Sequence, residues 1–311
     1  MNTKAGTMNT KKDLNRRFNI PFVKQFKYTT LFSILAVLGS LILIFGKGPL
    51  FSVDFKGGAE IQVKFNQSVT SEAIRTALLE TNYSVSQIQQ IGAPTDNEYL
   101  VKVAASDNDI NVITNTLATK LKTSFAGQGA EIRKTDIVGP KAGHQLQISG
   151  LYAMLIALGG ILLYIGLRFD FKYAPGAVVA LFHDVVIVCG IFVLFNLEFS
   201  LQIVAALLAV IGYSVNDTVV IYDRVREHEE RAPKTRLSTH IHNALNETLS
   251  RTIWTSLTTL FVVVAMLIFG SGITRDFFTA LFIGVIIGTY SSLYVAAPTV
   301  QFCARFIKEE N

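Results

Sequence analysis

An aspartate embedded in an apolar stretch is the residue of this sequence whose type and position could do chemistry. Asp217 lies in the stretch 211–226, which reads IGYSVNDTVVIYDRVR, and a nearly apolar run, 201–212, precedes it. A carboxylate at mid-bilayer costs about 2.5–3.5 kcal/mol to insert, and acids in such places usually mark an ion pathway or a proton relay. Asp217 is therefore either a relay residue with a buried partner or an acid near a helix end that reaches water.

A cationic residue at the start of a later apolar segment is the candidate partner of this acid. Arg251 and Thr255 follow one another at helical spacing and form a polar stripe that could face the segment carrying Asp217. The depths of Asp217 and Arg251 are compatible with a pair or a water-bridged contact. The alternative is that Arg251 only anchors its helix at the lipid headgroups.

Other polar residues interrupt the apolar segments. His183 and Asp184 are adjacent in one segment, and Asn216 and Thr218 flank Asp217. Polar side chains at membrane depth should face the interior of a helix bundle, so all four are predicted as polar bundle contacts. His183 and Asp184 could also take part in a proton path. A metal site is not predicted there, because neighbours in sequence project from different faces of a helix.

The composition is that of a membrane protein. Of the 311 residues, 50% are hydrophobic and 16% are charged. A helix needs about 20 apolar residues to cross roughly 30 Å of hydrocarbon. The predicted fold is a polytopic α-helical membrane protein with six transmembrane helices. The predicted helices are 29–46, 148–167, 175–194, 200–222, 253–270 and 277–297. The last five are predicted to form a bundle over 148–300.

Lysine and arginine gather in segments on one side of the predicted membrane. These segments include the basic N-terminal tail, 1–28, a link, 223–251, and the C-terminal tail, 301–311. The positive-inside rule places them, and both termini, in the cytoplasm. The net charge of +5 is then explained by the basic segments on the cytoplasmic side of the membrane. No nucleic-acid partner is predicted. The first span is expected to be retained, not cleaved as a signal peptide.

The segment 47–147 is predicted to be an α+β domain on the opposite, periplasmic side. Alternating apolar residues and helix-capping residues give the order β-α-β-β-α-β, which resembles ferredoxin-like domains. Gly57-Gly58 and Gly139-Pro140 border this domain, and their placement suggests a hinge. The domain is expected either to contact another chain or domain or to act as a rigid spacer.

Several kinds of chemistry are not predicted. The sequence contains no GxxxxGK[ST] loop for nucleotide phosphates, no cofactor fingerprint and no metal-ligand spacing. Cys189 and Cys303 lie in or near the predicted spans, so the external domain has no disulfide framework. The chain is therefore not expected to be an enzyme or to hold a cofactor or a metal.

Several separate motifs carry a resemblance to a known family. They are VDFKGG at 53–58, which includes Asp54, VGP at 138–140, FHDV at 182–185, GYSVNDTVVIYDRVRE at 212–227 and SRTIWTSLTTL at 250–260. With these motifs in this order, the sequence resembles the SecD/SecF family attached to the bacterial Sec translocon, and in particular the smaller subunit of that pair. The resemblance covers nearly the whole chain.

The resemblance implies a function and a set of partners. Such a subunit belongs to the resistance-nodulation-division superfamily and, with SecD, uses the proton motive force to help preproteins cross the bacterial inner membrane. Protons are then the coupling ion, Asp217 and Arg251 belong to the proton path, and a further aspartate comes from SecD. The implied partners are SecD, the SecYEG channel, YajC and YidC, the translocating preprotein and membrane lipid.

Two other functions compete with this one. A proton-driven exporter of small amphipathic molecules shares the superfamily architecture, but it is expected to have an internal repeat, twelve spans and larger external domains. An assembly factor of the translocon without energy transduction is the other alternative. The substitution Asp217→Asn separates this last function from a proton relay.

Overall fold

The computed structural model describes residues 19–81, 85–92, 94–104, 110–169, 171–270 and 273–309. Its α-helices and strands follow one another along the chain in this order: α1 (Phe22–Gly46), β1 (Leu50–Phe51), α2 (Val53–Lys56), β2 (Gly58–Lys64), α3 (Ser71–Leu79), β3 (Val85–Ile91), β4 (Glu98–Ala104), α4 (Ile110–Ser124), β5 (Glu131–Val138), α5 (Pro140–Arg168), α6 (Ala174–Leu194), β6 (Glu198–Phe199), α7 (Leu201–Arg231), α8 (Leu237–Phe269), α9 (Ile273–Ser291) and α10 (Ala297–Glu309).

In the described part of the chain, six helical segments are long and apolar enough to cross a membrane. They are α1, α5, α6, α7, α8 and the continuous helix formed by α9, a π-helical stretch (Ser292–Ala296) and α10. The prediction of a polytopic helical membrane protein with six spans is therefore confirmed. We call the side of the bundle that carries the α+β domain the domain side and the opposite side the terminal side.

The helices extend beyond the predicted spans, because hydropathy marks only the part of a helix that is apolar. Most of the predicted link 223–251 is helical, since α7 continues to Arg231 and α8 begins at Leu237. Arg224 and Glu247 join the two extensions, with 2.5 Å between nitrogen and oxygen. The link is therefore a helical hairpin rather than a loop.

The first helix starts before the predicted span. Of the predicted tail 1–28, residues 1–18 lie outside the described residues, and α1 begins at Phe22. The side chain of Asn246 on α8 holds the chain just ahead of α1, since its Oδ1 accepts from the N–H of Ile20 at 2.8 Å and its Nδ2 donates to the carbonyl of Ile20 at 3.1 Å. These two hydrogen bonds satisfy the backbone N–H and carbonyl of a residue that lies outside the helix.

The domain between α1 and α5 is a four-stranded antiparallel sheet with two helices on one face. The strand order is β3-β4-β2-β5. Alternate residues of the two central strands turn inward, and Ile61 and Val101 pack on Ile74 of α3 and Leu117 of α4, all with 0% exposed surface. Thr70 caps α3 by accepting from the N–H of Ala73 at 3.2 Å.

The domain is attached to the bundle by short backbone contacts. Strand β1, which follows α1, pairs in parallel with β6, which joins α6 to α7. The carboxylate of Asp54 in α2 accepts from the N–H of Leu201 at 3.0 Å, at the beginning of α7. An anion at a helix N-terminus is stabilised by the unpaired N–H groups there. The entrance to the domain is therefore tied to the helix that carries Asp217.

Candidate functional site

The carboxylate of Asp184 on α6 joins three helices. Asp184 has 0% exposed surface, and its Oδ2 accepts from the hydroxyl of Ser214 on α7 at 2.6 Å and from that of Ser291 on α9 at 2.9 Å. Its Oδ1 lies 3.2 Å from Nδ1 of His183. Each hydroxyl replaces a hydrogen bond that the carboxylate loses on leaving water. Asp184 is thus a satisfied acid at a helix junction.

His183 is buried beside this acid although the two residues are neighbours in sequence. Its ring stacks on Tyr290, with 5.9 Å between ring centroids and 27° between planes. Nδ1 contacts Asp184, and among the described residues Nε2 has no hydrogen-bond partner. His183 also lines a mainly apolar cavity of about 840 Å³ bounded by α1, α6 and α10. The prediction that both residues face the bundle interior agrees with their burial, at 3% and 0% exposed.

A second set of hydroxyl contacts lies one turn further along α7. The hydroxyl of Thr218 donates to Ser292 at 3.0 Å, and Ser292 donates to the carbonyl of Ser214 at 3.2 Å. Ser292 begins the π-helical stretch between α9 and α10, and such stretches are frequent at functional sites. Thr218 is therefore a polar contact between helices.

Asp217 is as enclosed as these residues but is not satisfied. It is 3% exposed, and its Oδ2 has no hydrogen-bond partner in the described part of the chain. No nitrogen of a described lysine, arginine or histidine lies within 4.0 Å of its carboxylate, although Arg251 acts on it electrostatically from farther away. A charge that is buried without a partner is costly. Such a carboxyl is suited to gaining and losing a proton.

The polar face that α8 turns to the bundle interior differs from the face that the sequence pattern predicted. Arg251 is exposed, and the half-buried Thr255 donates only to carbonyls of its own helix, those of Arg251 at 3.1 Å and Thr252 at 3.0 Å. The buried polar residues of α8 next to this stretch are Thr252 and Ser256. The observed inward stripe is therefore shifted by one residue from the predicted one. The prediction started from Arg251, but the long side chain of an arginine can reach outward to solvent.

Ser256 completes a hydrogen-bonded bridge across three helices. It lies 3.2 Å from the hydroxyl of Tyr213 on α7 and 2.7 Å from that of Thr289 on α9. Tyr213 lies one turn from Asp217 on the same helix. Asn216, predicted as a bundle contact, is instead exposed on the surface of the isolated chain. The surface position of Asn216 leaves it available to a neighbouring chain.

Hydropathy could not single out Ser214 or Ser256, because serine is common in membrane helices and its role depends on what faces it. Their only sequence signal is their position inside the GYSVND and SRTIWTSLTTL motifs. Ser291 and Ser292 belong to a polar run, 290–292, that predicts helix contacts in the sixth span. No group of three or more His, Cys, Asp or Glu side chains could hold a metal ion among the described residues.

The two motifs at the borders of the domain meet in space. Gly57 has φ of 80° and Gly58 has φ of 154°, values that favour glycine. A Cβ on Gly57 would come within 2.6 Å of Cα of Pro140, whereas a Cβ on Gly139 would meet nothing within 4 Å. The chain therefore enters and leaves the domain at one tightly packed crossing point.

A buried ionic contact lies on the face of the sheet opposite to α3 and α4. Nζ of Lys102 on β4 lies 2.8 Å from Glu198 on β6 and 3.6 Å from Glu60 on β2. Burial alone would lower the pKa of Lys102, but the carboxylates of Glu198 and Glu60 raise it above its usual value. Burial raises the pKa of Glu60, against the opposing charge of Lys102. This contact joins the domain to the bundle.

Comparisons with known proteins give matches over nearly the whole chain. Residues 117–305 match the family described as protein export membrane protein SecD/SecF, C-terminal, and residues 42–69 match the SecD/SecF GG motif. The protein translocase subunit SecF of Pseudomonas aeruginosa is 39% identical over 296 residues, which are 95% of this chain and 91% of that protein. The SecF of Rhodothermus marinus is 40% identical over 288 residues, 91% of this chain and 92% of that protein.

A solved structure is similar over nearly the whole chain. The crystal structure of SecDF, a translocon-associated membrane protein from Thermus thermophilus, superposes with a TM-score of 0.79 at 32% identity. The match covers 95% of this chain but only 39% of that chain. By sequence, the SecDF of the same organism is 37% identical over 91% of this chain and 38% of its own length. These similarities show that the chain belongs to the SecD/SecF family of protein export membrane proteins, within which it aligns with the SecF subunits, transport accessory subunits that are not enzymes.

Proposed function

We propose that this chain uses the proton motive force, together with SecD, to help preproteins cross the bacterial inner membrane. Its role as an accessory subunit of Sec protein export follows from its family. The observation that carries the proton coupling is the enclosed carboxyl of Asp217, which has no hydrogen-bond partner for Oδ2 among the described residues and has the charge of Arg251 nearby. Protons are the proposed coupling ion.

The proposed direct partner is a SecD subunit. The SecDF of Thermus thermophilus joins both names in one chain, and this chain matches 38% of its length, which supports SecD as the partner. On α7, an exposed stripe of Leu201, Ala205, Ala209, Gly212 and Asn216 runs beside Asp217. Small residues let membrane helices pack closely. SecD packs on this stripe and supplies a second acid near Asp217.

The proposed orientation places the terminal side in the cytoplasm and the domain in the periplasm. Basic residues are concentrated on the terminal side, as the positive-inside rule requires of a cytoplasmic face. The SecYEG channel, YajC, YidC and the moving preprotein are the wider set of partners, and lipid surrounds the exposed apolar helices. The domain has the strand order and the helices on one face that are typical of ferredoxin-like domains.

In the proposed cycle, a proton binds to and leaves Asp217. Protonation removes a negative charge and with it the attraction to Arg251, which stays protonated. The packing of α7 against its neighbours then changes. Since Asp54 caps the first turn of α7 and the domain turns on the crossing point of Gly57 and Pro140, a shift of α7 is transmitted to the domain.

The test is preprotein export into inverted inner-membrane vesicles with and without a proton gradient. Asp217→Asn should abolish the gradient-dependent part of export while the ATP-driven part continues, and Asp217→Glu should retain some of it because a carboxyl remains. Asp223→Asn is the matched control, since Asp223 is an exposed acid on the same helix. Full gradient-dependent export by Asp217→Asn would overturn the proposal and favour an assembly factor.

An exporter of small amphipathic molecules remains the other candidate. The cavity of about 840 Å³ beside His183 is the feature that favours it. Purification from native membranes separates the two functions. A SecD-like chain and the Sec channel should accompany this protein, whereas a homotrimer without either would favour the exporter.

A further inference from the structure

Two polar atoms on the facing helices α7 and α8 are buried without a hydrogen-bond partner among the residues that the structure describes. They are Oδ2 of Asp217 and the hydroxyl oxygen of Thr252. Asp217 is 3% exposed and Thr252 is 1% exposed. A buried hydroxyl with no partner costs about 1–3 kcal/mol, so its presence calls for a reason.

The register of the helices places these two residues at the same level. Tyr213 and Ser256 are in contact across α7 and α8 at 3.2 Å. Asp217 lies four residues after Tyr213, and Thr252 lies four residues before Ser256. Because the helices run antiparallel, both steps move about one turn, roughly 5.4 Å, toward the terminal side. Asp217 and Thr252 therefore form the next level of the same contact surface.

Thr252 differs from the other threonines of this part of α8. Four of them donate their hydroxyl to a carbonyl one turn earlier in the helix, as membrane threonines commonly do: Thr248, Thr255, Thr258 and Thr259. The hydroxyl of Thr252 makes no such bond. This hydroxyl is therefore free of the backbone of its own helix and can hydrogen-bond to a group on a neighbouring helix.

We propose that Thr252 is a positioning residue for the proton of Asp217, an inference that rests on the proposed proton relay. A hydroxyl can donate to an ionised carboxylate and accept from a protonated one, so Thr252 can partner Asp217 in both states, directly or through one water. Arg251, the preceding residue, can only donate. The two residues on α8 would then have separate roles. Arg251 supplies a positive charge near Asp217, and the hydroxyl of Thr252 orients the proton on its carboxyl.

The test combines export with infrared spectroscopy of the complex with SecD. Thr252→Val keeps the shape of the side chain and removes the hydroxyl, and Thr252→Ser keeps the hydroxyl. The gradient-dependent export rate should fall about tenfold in Thr252→Val, as for the loss of one hydrogen bond to a charged group, and return to within about twofold in Thr252→Ser. Thr258→Val, an exposed threonine of the same helix, should have no effect.

The spectroscopic measurement separates positioning from folding. The carbonyl band of protonated Asp217 is the one that Asp217→Asn removes. This band should move in Thr252→Val, return in Thr252→Ser and stay unchanged in Thr258→Val. An unchanged band and rate in Thr252→Val, with Asp217→Asn inactive, would overturn this inference alone. Full activity of Asp217→Asn would overturn the proton relay and this inference with it.

Discussion

At the scale of single residues, the two buried acids of the bundle have opposite environments. Asp184 accepts two hydroxyl hydrogen bonds and contacts His183, whereas Oδ2 of Asp217 lacks a partner in the described part of the chain. A satisfied carboxylate is held in one state, while an unsatisfied one changes state at lower cost. We therefore propose a structural role for Asp184 and the exchange of protons for Asp217.

The buried lysine at the domain junction can be tested by removing its charge. Lys102→Met leaves Glu198 and Glu60 without their cation, which should lower the free energy of unfolding by about 3–5 kcal/mol. Lys120→Met is the control, since Lys120 pairs with Glu80 on the surface, where solvent and salt screen the pair and it contributes little. Thermal unfolding in detergent measures both. Equal melting temperatures for the two variants would contradict a stabilising role of the buried contact.

The pH dependence of stability tests the burial of Glu60. Its pKa is raised above the ordinary value of 4.5, mainly by burial, while Lys102 opposes the shift and Asp54 and Asp136 add to it. Above pH 4.5 the folded protein then binds more protons than the unfolded chain, so stability is lost as the pH rises through the raised pKa.

Glu60→Gln removes this loss and should therefore gain in melting temperature relative to the wild type as the pH rises from 4.5 toward neutrality. Glu72→Gln, which changes an exposed acid of the same domain, provides the control. Parallel curves of melting temperature against pH for the wild type and Glu60→Gln would show that burial does not govern this carboxyl.

At the scale of elements, the crossing point of the chain at the domain border is the feature to test. Gly57→Ala forces a residue with a Cβ to a positive φ and against the backbone of Pro140. The positive φ alone costs a residue with a Cβ about 1–2 kcal/mol. Gly139→Ala is matched to it, because a Cβ there meets nothing within 4 Å. We expect Gly57→Ala to lower the melting temperature and export, with Gly139→Ala close to wild type. Similar behaviour of the two variants would argue against a packed crossing point.

Hydropathy and capping patterns predicted the helices and strands better than the faces that they turn to each other. Six spans were readable, because the length and hydropathy of an apolar run decide whether it can cross the membrane. The inward face of α8 was not, since the predicted stripe of Arg251 and Thr255 is offset by only one position from the buried pair Thr252 and Ser256. Tertiary packing decides between them, and one sequence contains no signal for it.

The candidate site was partly readable for the same reason. Asp217, His183 and Asp184 stand out because charges in apolar runs are rare. The hydroxyls that satisfy Asp184 come from α7 and α9, far away in sequence. Their role depends on the packing of three helices, which composition does not reveal. The sequence left open a direct pair or a water-bridged contact between Arg251 and Asp217, and in this structure the two lie beyond ion-pair distance.

At the scale of the whole molecule, the exposed stripe of α7 predicts where SecD binds. Ala209→Trp places a large side chain in a contact that requires small residues, so copurified SecD should fall about tenfold. Leu163→Trp on the exposed face of α5 is the control. Loss of SecD with Leu163→Trp and not with Ala209→Trp would place the interface on α5 instead.

The passage of protons through Asp217 is the step on which the proposed function depends most. Proton flux into liposomes that contain this chain and SecD, recorded with an internal pH dye after a pH gradient is imposed, tests it directly. The wild type and Asp223→Asn should conduct protons, and Asp217→Asn should not exceed protein-free liposomes. Equal flux through Asp217→Asn and the wild type would contradict the passage of protons through Asp217.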